Sequence, residues 1–187
     1  AYGAFFGWSW TNENSPYAAA CLLRSLWAVN MPVGEWFSVA SVFKILDGPF
    51  SSRRNAAICL GAVTGINGVT TSVVVQVNLD LGLLMIRMHN GTSFYDGPTA
   101  SVPLPSMGPN IWYRIHATLD PVPVDGDPAA TLTVQLHAVN ATGAAVGAPL
   151  AQVSWTSASL LQLQGGQVGV MTDRALARFT QFDVHQL

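Results

Sequence analysis

The sequence predicts an all-β protein, a two-sheet antiparallel sandwich, and three observations carry that prediction. Short segments with apolar residues at every second position recur along the chain, about eleven or twelve of them at spacings of about 8–15 residues. Gly and Pro, 17 and 11 in number, are spread throughout and punctuate those segments. Charge is scarce: 10% of the residues are Asp, Glu, Lys or Arg, against about 25% in an average domain, while 50% are hydrophobic. Two apolar-faced sheets joined by many turns satisfy all three; a helical protein does not. At 187 residues, one domain spanning residues 1–187 accounts for the length, and no internal repeat of fixed period is visible. So little charge also implies that part of the surface is covered by other chains or by more of the same polypeptide.

Taken in order, residues 1–16 put Phe6, Trp8 and Trp10 on one parity, a first strand running into an Asn/Ser/Pro turn. Residues 15–29 are readable in two ways. Ser15 and Pro16 ahead of an alanine run form a helix-start signal. A strand instead sets Cys21, Leu23, Trp27 and Val29 on one face, and we prefer it because clear alternation follows. Over residues 35–46, Phe37, Val39, Phe43 and Ile45 point one way and Trp36, Ser38, Ala40 and Lys44 the other. Residues 55–61 and 69–78 form a hairpin about Gly65 and Gly68. Residues 81–89 are a further strand, closed by the tight-turn dipeptide Asn90-Gly91.

Residues 96–109, with Pro98, Pro103, Pro105 and Pro109, are read as an irregular loop. Alternation then returns: Ile111, Tyr113, Ile115, Ala117 and Leu119 inward, Trp112, Arg114, His116 and Thr118 outward. After an acidic loop, residues 130–139 set Leu132, Val134 and Leu136 inward. Residues 140–147 turn, residues 149–155 form a strand, and two strands near Val168 and Val184 close the chain. Phe179 and Phe182 stand three apart, which breaks the period of two and predicts a bulge near Thr180 and Gln181.

Three stretches carry a family likeness. They are the ending G-x-V-G-V-x-T…A-x-F-x-x-F-x-V over residues 166–184, the segment NMPVGEWFSVASVFKIL over residues 30–46, and W-Y-R-I-x-A-x-L followed by L-x-V-x-L over residues 112–136. Together they resemble the concanavalin A-like (laminin G-like) jelly-roll sandwiches, over residues 8–187, with the ending similar to that family's closing hairpin. The resemblance implies a lectin-like module that recognises glycans or a protein partner, as part of a larger extracellular enzyme, adhesin or virus tail component. Glucanases of the family carry Glu-x-Asp-x-x-Glu on a strand, and its polysaccharide lyases Arg-x-Glu-x-Arg; neither is present. Glu13 and Glu35 are the sole glutamates, and no Ser sits in a nucleophile turn.

The residues themselves offer one constellation. All four histidines follow a polar residue across an apolar one: Arg87-Met-His89, Arg114-Ile-His116, Gln135-Leu-His137 and Asp183-Val-His185. In a strand each His shares a face with its polar partner. Were the strands of Arg87, Arg114 and Gln135 neighbours, one sheet would show a stripe of Arg, Gln and His. A solvated sheet face looks like this, and so does a polar groove for a sugar. Trp36 and Trp112, on the polar parity of their strands, and Tyr95 beside the long loop are candidate stacking platforms. The candidate ligand-binding set is therefore Arg87, His89, Trp112, Arg114, His116, Gln135, His137, Tyr95 and Trp36. Histidines on separate strands lack a metal-site spacing. Asp120, Asp125 and Asp127 have ligand chemistry for Ca²⁺ but fit no calcium loop, and with Pro121, Pro123 and Pro128 they read as turn chemistry. No cofactor is expected. Asn90-Gly-Thr92 and Asn140-Ala-Thr142 match the N-glycosylation pattern.

Net charge is −2 with Lys and Arg scattered, which leaves no footprint for nucleic acid, and the apolar runs fall well short of the length of a membrane span. The chain opens without Met or a signal-peptide pattern and is read as a processed form or a piece of a longer protein. Cys21 and Cys59 are readable either as a pair or as two small buried hydrophobes, and we prefer the free, buried reading. The leading expectation is a non-catalytic carbohydrate-binding or adhesion module at an extracellular or virion surface. The alternative is a structural virion module, a decoration or tail domain that packs against neighbouring subunits as an oligomer. A glycosidase or lyase ranks third.

Overall fold

The computed structural model describes residues 19–22, 37–47, 54–64, 70–89, 99–163, 167–172, 175 and 177–186. The strand expected in residues 1–16 and the turn expected at Asn90-Gly91 lie outside them. Eleven strands are found among the described residues: β1 (Ala19–Leu22), β2 (Phe37–Ile45), β3 (Asn55–Thr64), β4 (Thr70–Asn78), β5 (Leu83–His89), β6 (Ala100–Pro103), β7 (Trp112–Pro121), β8 (Ala130–Val139), β9 (Ala145–Ser157), β10 (Gln167–Thr172) and β11 (Ala177–Gln186). They form two antiparallel sheets, of six strands in the order β1-β10-β3-β4-β5-β6 and of five in the order β11-β2-β7-β8-β9. The protein is the all-β, two-sheet antiparallel sandwich that its alternation predicts, and the jelly roll that the family resemblance implies.

The core lies between the sheets. Phe37, Phe43, Ile115, Leu119, Leu132 and Leu136 meet Ile58, Leu60, Val75, Leu84 and Ile86, and all are almost fully buried. β-Branched and aromatic residues at every second position give each strand one continuous apolar face, and burying it is what drives the sheets together. A 3₁₀ helix, Ala158–Leu163, closes one end with Leu160 and Leu163, where alternation and capping predict no helix. Gly61 makes that closure possible. Its φ is +60°, and a Cβ on it would stand 2.7 Å from the Leu163 Cα.

The bulge expected from Phe179 and Phe182 is present: Phe179 pairs with Phe43 and Gln181 with Val42, so Thr180 is the extra residue. The Ser41 hydroxyl donates to the Gln181 carbonyl at 2.8 Å, which satisfies a backbone acceptor at the irregularity. In the acidic loop, read from the sequence as turn chemistry, Val124 bridges Asp127 across Asp125 and Gly126, at φ 52° and 89°, a tight Asp-Gly turn.

Other expectations need correction. Residues 96–109 are not wholly irregular, because β6 pairs with β5 there. β6 is an edge strand, and an edge tolerates a residue such as Pro103 that donates no ladder hydrogen bond. Ile111 is exposed rather than inward, since β7 begins one residue later. Leu81 sits exposed in the β4–β5 turn, where the Asn78 side chain accepts from the Asp80 and Leu81 amides. β9 starts at Ala145, earlier than expected, and carries Pro149 on an edge. The last two strands are not a hairpin: β10 pairs with β1 and β3, β11 with β2, so each lays an apolar face on the core from its own side. Of residues 15–29, the described part is strand. Cys59 is a free, buried thiol, 3.7 Å from the Met171 sulfur.

A candidate polar face on the five-stranded sheet

β7 and β8 turn Tyr113, Ile115, Ala117, Leu119, Leu132, Val134 and Leu136 to the core, so their even-numbered and odd-numbered partners respectively face outward. Register then fixes which side chains stand side by side. Asp183, Ala40, His116, Gln135 and Gln152 form one row across all five strands. Gln181, Val42, Arg114 and His137 form the row on one side of it. His185, Ser38, Thr118, Thr133 and Ser154 form the row on the other. Neighbouring strands lie about 4.8 Å apart and alternate residues about 6.7 Å apart, so these rows make one contiguous polar surface.

β2 shapes that surface. Its outward residues Ser38, Ala40 and Val42 are small or short and are themselves buried, so longer side chains of the flanking strands close over them. Arg114 reaches across this trough to Asp183, guanidinium nitrogen to carboxylate oxygen at 3.4 Å. The β8–β9 turn leans over the same place: a Cβ on Gly143, whose φ is +82°, would stand 2.7 Å from Gln181 Oε1 and 3.4 Å from Val42 Cγ2. Asn140 holds the turn, its side-chain oxygen accepting from the Thr142 amide and hydroxyl and from the Ala144 amide. This makes a wall at one end of the face. Beyond Arg114, Lys44 stands over the Trp112 ring at 4.8 Å from its centroid.

On the far side of His116, the Gln135 side-chain amide donates to the Gln152 carbonyl oxygen at 2.8 Å, and Thr133 with Ser154 and Thr131 with Thr156 are hydroxyl pairs. Burial lowers the His116 pKa below its ordinary 6.5, and the positive charges of Arg114, His137 and His185 lower it further. Burial and then Arg114 lower His137 in the same way. The His137 Nδ1 is shut off from solvent and has no hydrogen-bond partner among the described residues. β9 irregularity accompanies it: Leu136 pairs with Ala151 but Ala138 with Val146, so residues 147–150 bulge opposite His137.

Of the residues singled out by sequence, Trp112, Arg114, His116, Gln135 and His137 come together on this face. Arg87 and His89 do not. They lie on β5 in the other sheet, because the alternation of a strand dictates its two faces but not the sheet it joins. Trp36 and Tyr95 lie outside the described residues. Sequence reasoning missed Asp183, Gln152 and Lys44 as members of the cluster. Asp183-Val-His185 shares the polar-apolar-His spacing of its neighbours and was the available signal; Gln152 and Lys44 had none. Among the described residues no group of three or more His, Cys, Asp or Glu is placed to hold a metal ion.

Compared with known protein families and with curated proteins, the sequence finds no match. Solved structures do match. The carbohydrate-binding module CBM66 from Bacillus subtilis is similar at TM-score 0.54 and 16% identity, over 98% of this chain and 92% of that one. Arcelin-5, a lectin-like defence protein from Phaseolus vulgaris, has TM-score 0.48 at 12% identity, over 90% of this chain and 76% of its own. Sheep galectin-11 has TM-score 0.43 at 10% identity, over 92% and 98%. At 16% identity the likeness to CBM66 is one of fold, an antiparallel sandwich of the same architecture.

Proposed function

We propose that this protein is a non-catalytic carbohydrate-binding module acting outside the cell, with its ligand on the outer face of the five-stranded sheet. The observation that carries this reading is the row Asp183, His116, Gln135, Gln152, four hydrogen-bonding side chains abreast. Sugar hydroxyls are both donors and acceptors, and a row that alternates carboxylate, imidazole and amides meets both needs. The Arg114–Asp183 and Gln135–Gln152 contacts order these side chains before a ligand arrives, so less rotamer freedom is lost on binding. Trp112 supplies an aromatic ring at the edge of the same surface.

Among the described residues the face does not have the geometry of a glycosidase. The carboxylates they place on it are Asp183 and Asp120, and Asp120 lies four residues along β7 from the row that holds Asp183. Strand spacings place them about 16 Å apart, against about 5–9.5 Å for the paired carboxylates of glycoside hydrolysis.

A glycan-array screen of the protein tests the reading, run with wild type and with Arg114→Ala and His116→Ala. Saturable binding to a glycan class, reduced about tenfold or more in either variant, is the expected result. Failure to retain any glycan, or retention that both variants leave untouched, sinks it.

A further inference from the structure

The same face is the cationic side of an otherwise acidic chain, and its charges are arranged without enough carboxylates to balance them. On β2 and β11, Lys44 and Arg178 pair in register and both point outward, since their neighbours Phe43 and Phe179 pack against each other in the core with ring centroids 6.3 Å apart. Arg114 follows on β7. Three of the chain's four histidines, His116, His137 and His185, stand among them. Among the described residues, the carboxylates on the face are Asp183, which Arg114 already engages, and Asp120 at the far end; the outward residues of β9 are Gln152, Ser154 and Thr156, all uncharged. Three permanent cations thus face one engaged and one distant carboxylate, in a protein whose net charge is −2.

After burial, the larger cause, Arg114 disfavours the charged forms of both His116 and His137, and His137 and His185 add to the effect on His116. The enclosed Nδ1 of His137 lacks a partner among the described residues, at the foot of the wall made by residues 140–144. An anionic group seated near Arg114, His116 and His137 would relieve the mutual repulsion and accept hydrogen bonds from all three.

Resting on the reading of this face as a glycan site, we propose that the glycan is an acidic one, bearing carboxylate or sulfate groups, and that it binds with uptake of protons by His116 and His137. The sign follows from linkage. A ligand that favours imidazolium raises the histidine pKa values on binding, so affinity increases as pH falls from 7.5 toward 5.5 (about neutral to mildly acid). The groups that set this response are Arg114, His116 and Asp120 on β7, His137 on β8, Lys44 on β2, and Arg178, Asp183 and His185 on β11.

Affinity electrophoresis of the whole chain through polygalacturonate, and separately through dextran sulfate, tests the proposal, with methyl-esterified polygalacturonate and plain dextran as uncharged counterparts. Retention is expected in at least one charged gel and to fall about tenfold or more in its uncharged partner. It should also fall steeply as salt shortens the screening length from about 30 Å to about 3 Å. Which charged gel retains the protein separates carboxylate from sulfate. Arg114→Ala and Arg178→Ala, checked for native circular dichroism, should each lower retention, whereas Arg54→Ala, which removes an equal charge at the start of β3 in the other sheet, should not. Equal retention by charged and uncharged gels overturns the acidic-glycan inference and leaves the carbohydrate-binding reading standing. Equal retention by a single-stranded oligonucleotide of matched charge, or an unchanged affinity across the pH range, also overturns it. Loss of all retention in every gel, repeated on a glycan array, would end both.

Discussion

The outer faces of the two sheets are built from the same strand geometry and have opposite characters. On the five-stranded sheet, β7 and β8 present Arg114, His116, Gln135 and His137 half-exposed. On the six-stranded sheet, the positions that look away from the core are Ala57, Cys59, Val74 and Met171, and these form a second buried apolar cluster. Met85 and Gln76 beside them are buried too, and Gln76 is only 2% exposed. Apart from Ala40 and Val42 on β2, the outward positions of the five-stranded sheet are largely polar, the pattern of a solvated antiparallel sheet, whereas the six-stranded sheet has buried apolar residues on both faces. The contrast teaches where a ligand can work. Among the described residues, side-by-side rows of partly exposed polar side chains lie on the five-stranded sheet, and that is where a ligand has hydrogen-bonding groups to meet.

A charge placed on each face in turn breaks the comparison most sharply. Val74→Asp puts a carboxylate at a fully buried position, and loss of about 4 kcal/mol or more, enough to abolish the cooperative urea transition of a marginal domain, is expected. Thr133→Asp, at an outward position of β8, should cost less than about 1 kcal/mol. Similar losses from the two would mean that the faces are not different in kind.

Gly61→Ala is expected to come next. It forces a side chain into a left-handed backbone and against the Leu163 backbone, for a combined cost of about 2–4 kcal/mol. Its urea midpoint should drop, while Gly82→Ala, at similar φ with open space around it, should cost only the backbone part, about 1–2 kcal/mol.

The smallest effect is the pH dependence of the polar face. His116 and His137 have folded pKa values below 6.5, so the unfolded chain takes up protons first as pH falls. Their contribution to stability is complete above pH 6.5 and is lost as pH drops through the lowered folded values. Unfolding midpoints measured between neutral and mildly acid pH should fall in wild type and flatten in the His116→Gln, His137→Gln double variant. An unchanged slope would show that neither histidine is held neutral by its surroundings.

Much of this fold is legible in the sequence, because burial writes itself into alternation. β2, β7 and β8 were readable residue by residue, and the three-residue step from Phe179 to Phe182 foretold a bulge. β6 was not readable, since Pro103 and its neighbours carry the signal of a loop and only the β5 edge makes a strand of them. The buried outer positions of β2 were hidden too: Ala40 and Val42 are closed over by residues brought together through pairing, not through sequence proximity. The candidate site shows the same limit. Period-two spacing put each histidine beside its polar partner, but only the β2–β11 and β8–β9 registers add Asp183 and Gln152 to the row, and only sheet order removes Arg87 and His89 from it.

The most direct test of the central claim is to map backbone amide shifts by NMR while a retained glycan is titrated in. The account predicts shifts concentrated on β7, β8 and β11 around Arg114, His116, Gln135, His137 and Asp183, with β3 and β4 unmoved. Shifts centred instead on Val74, Gln76 and Met85 would place the ligand on the six-stranded sheet and contradict it.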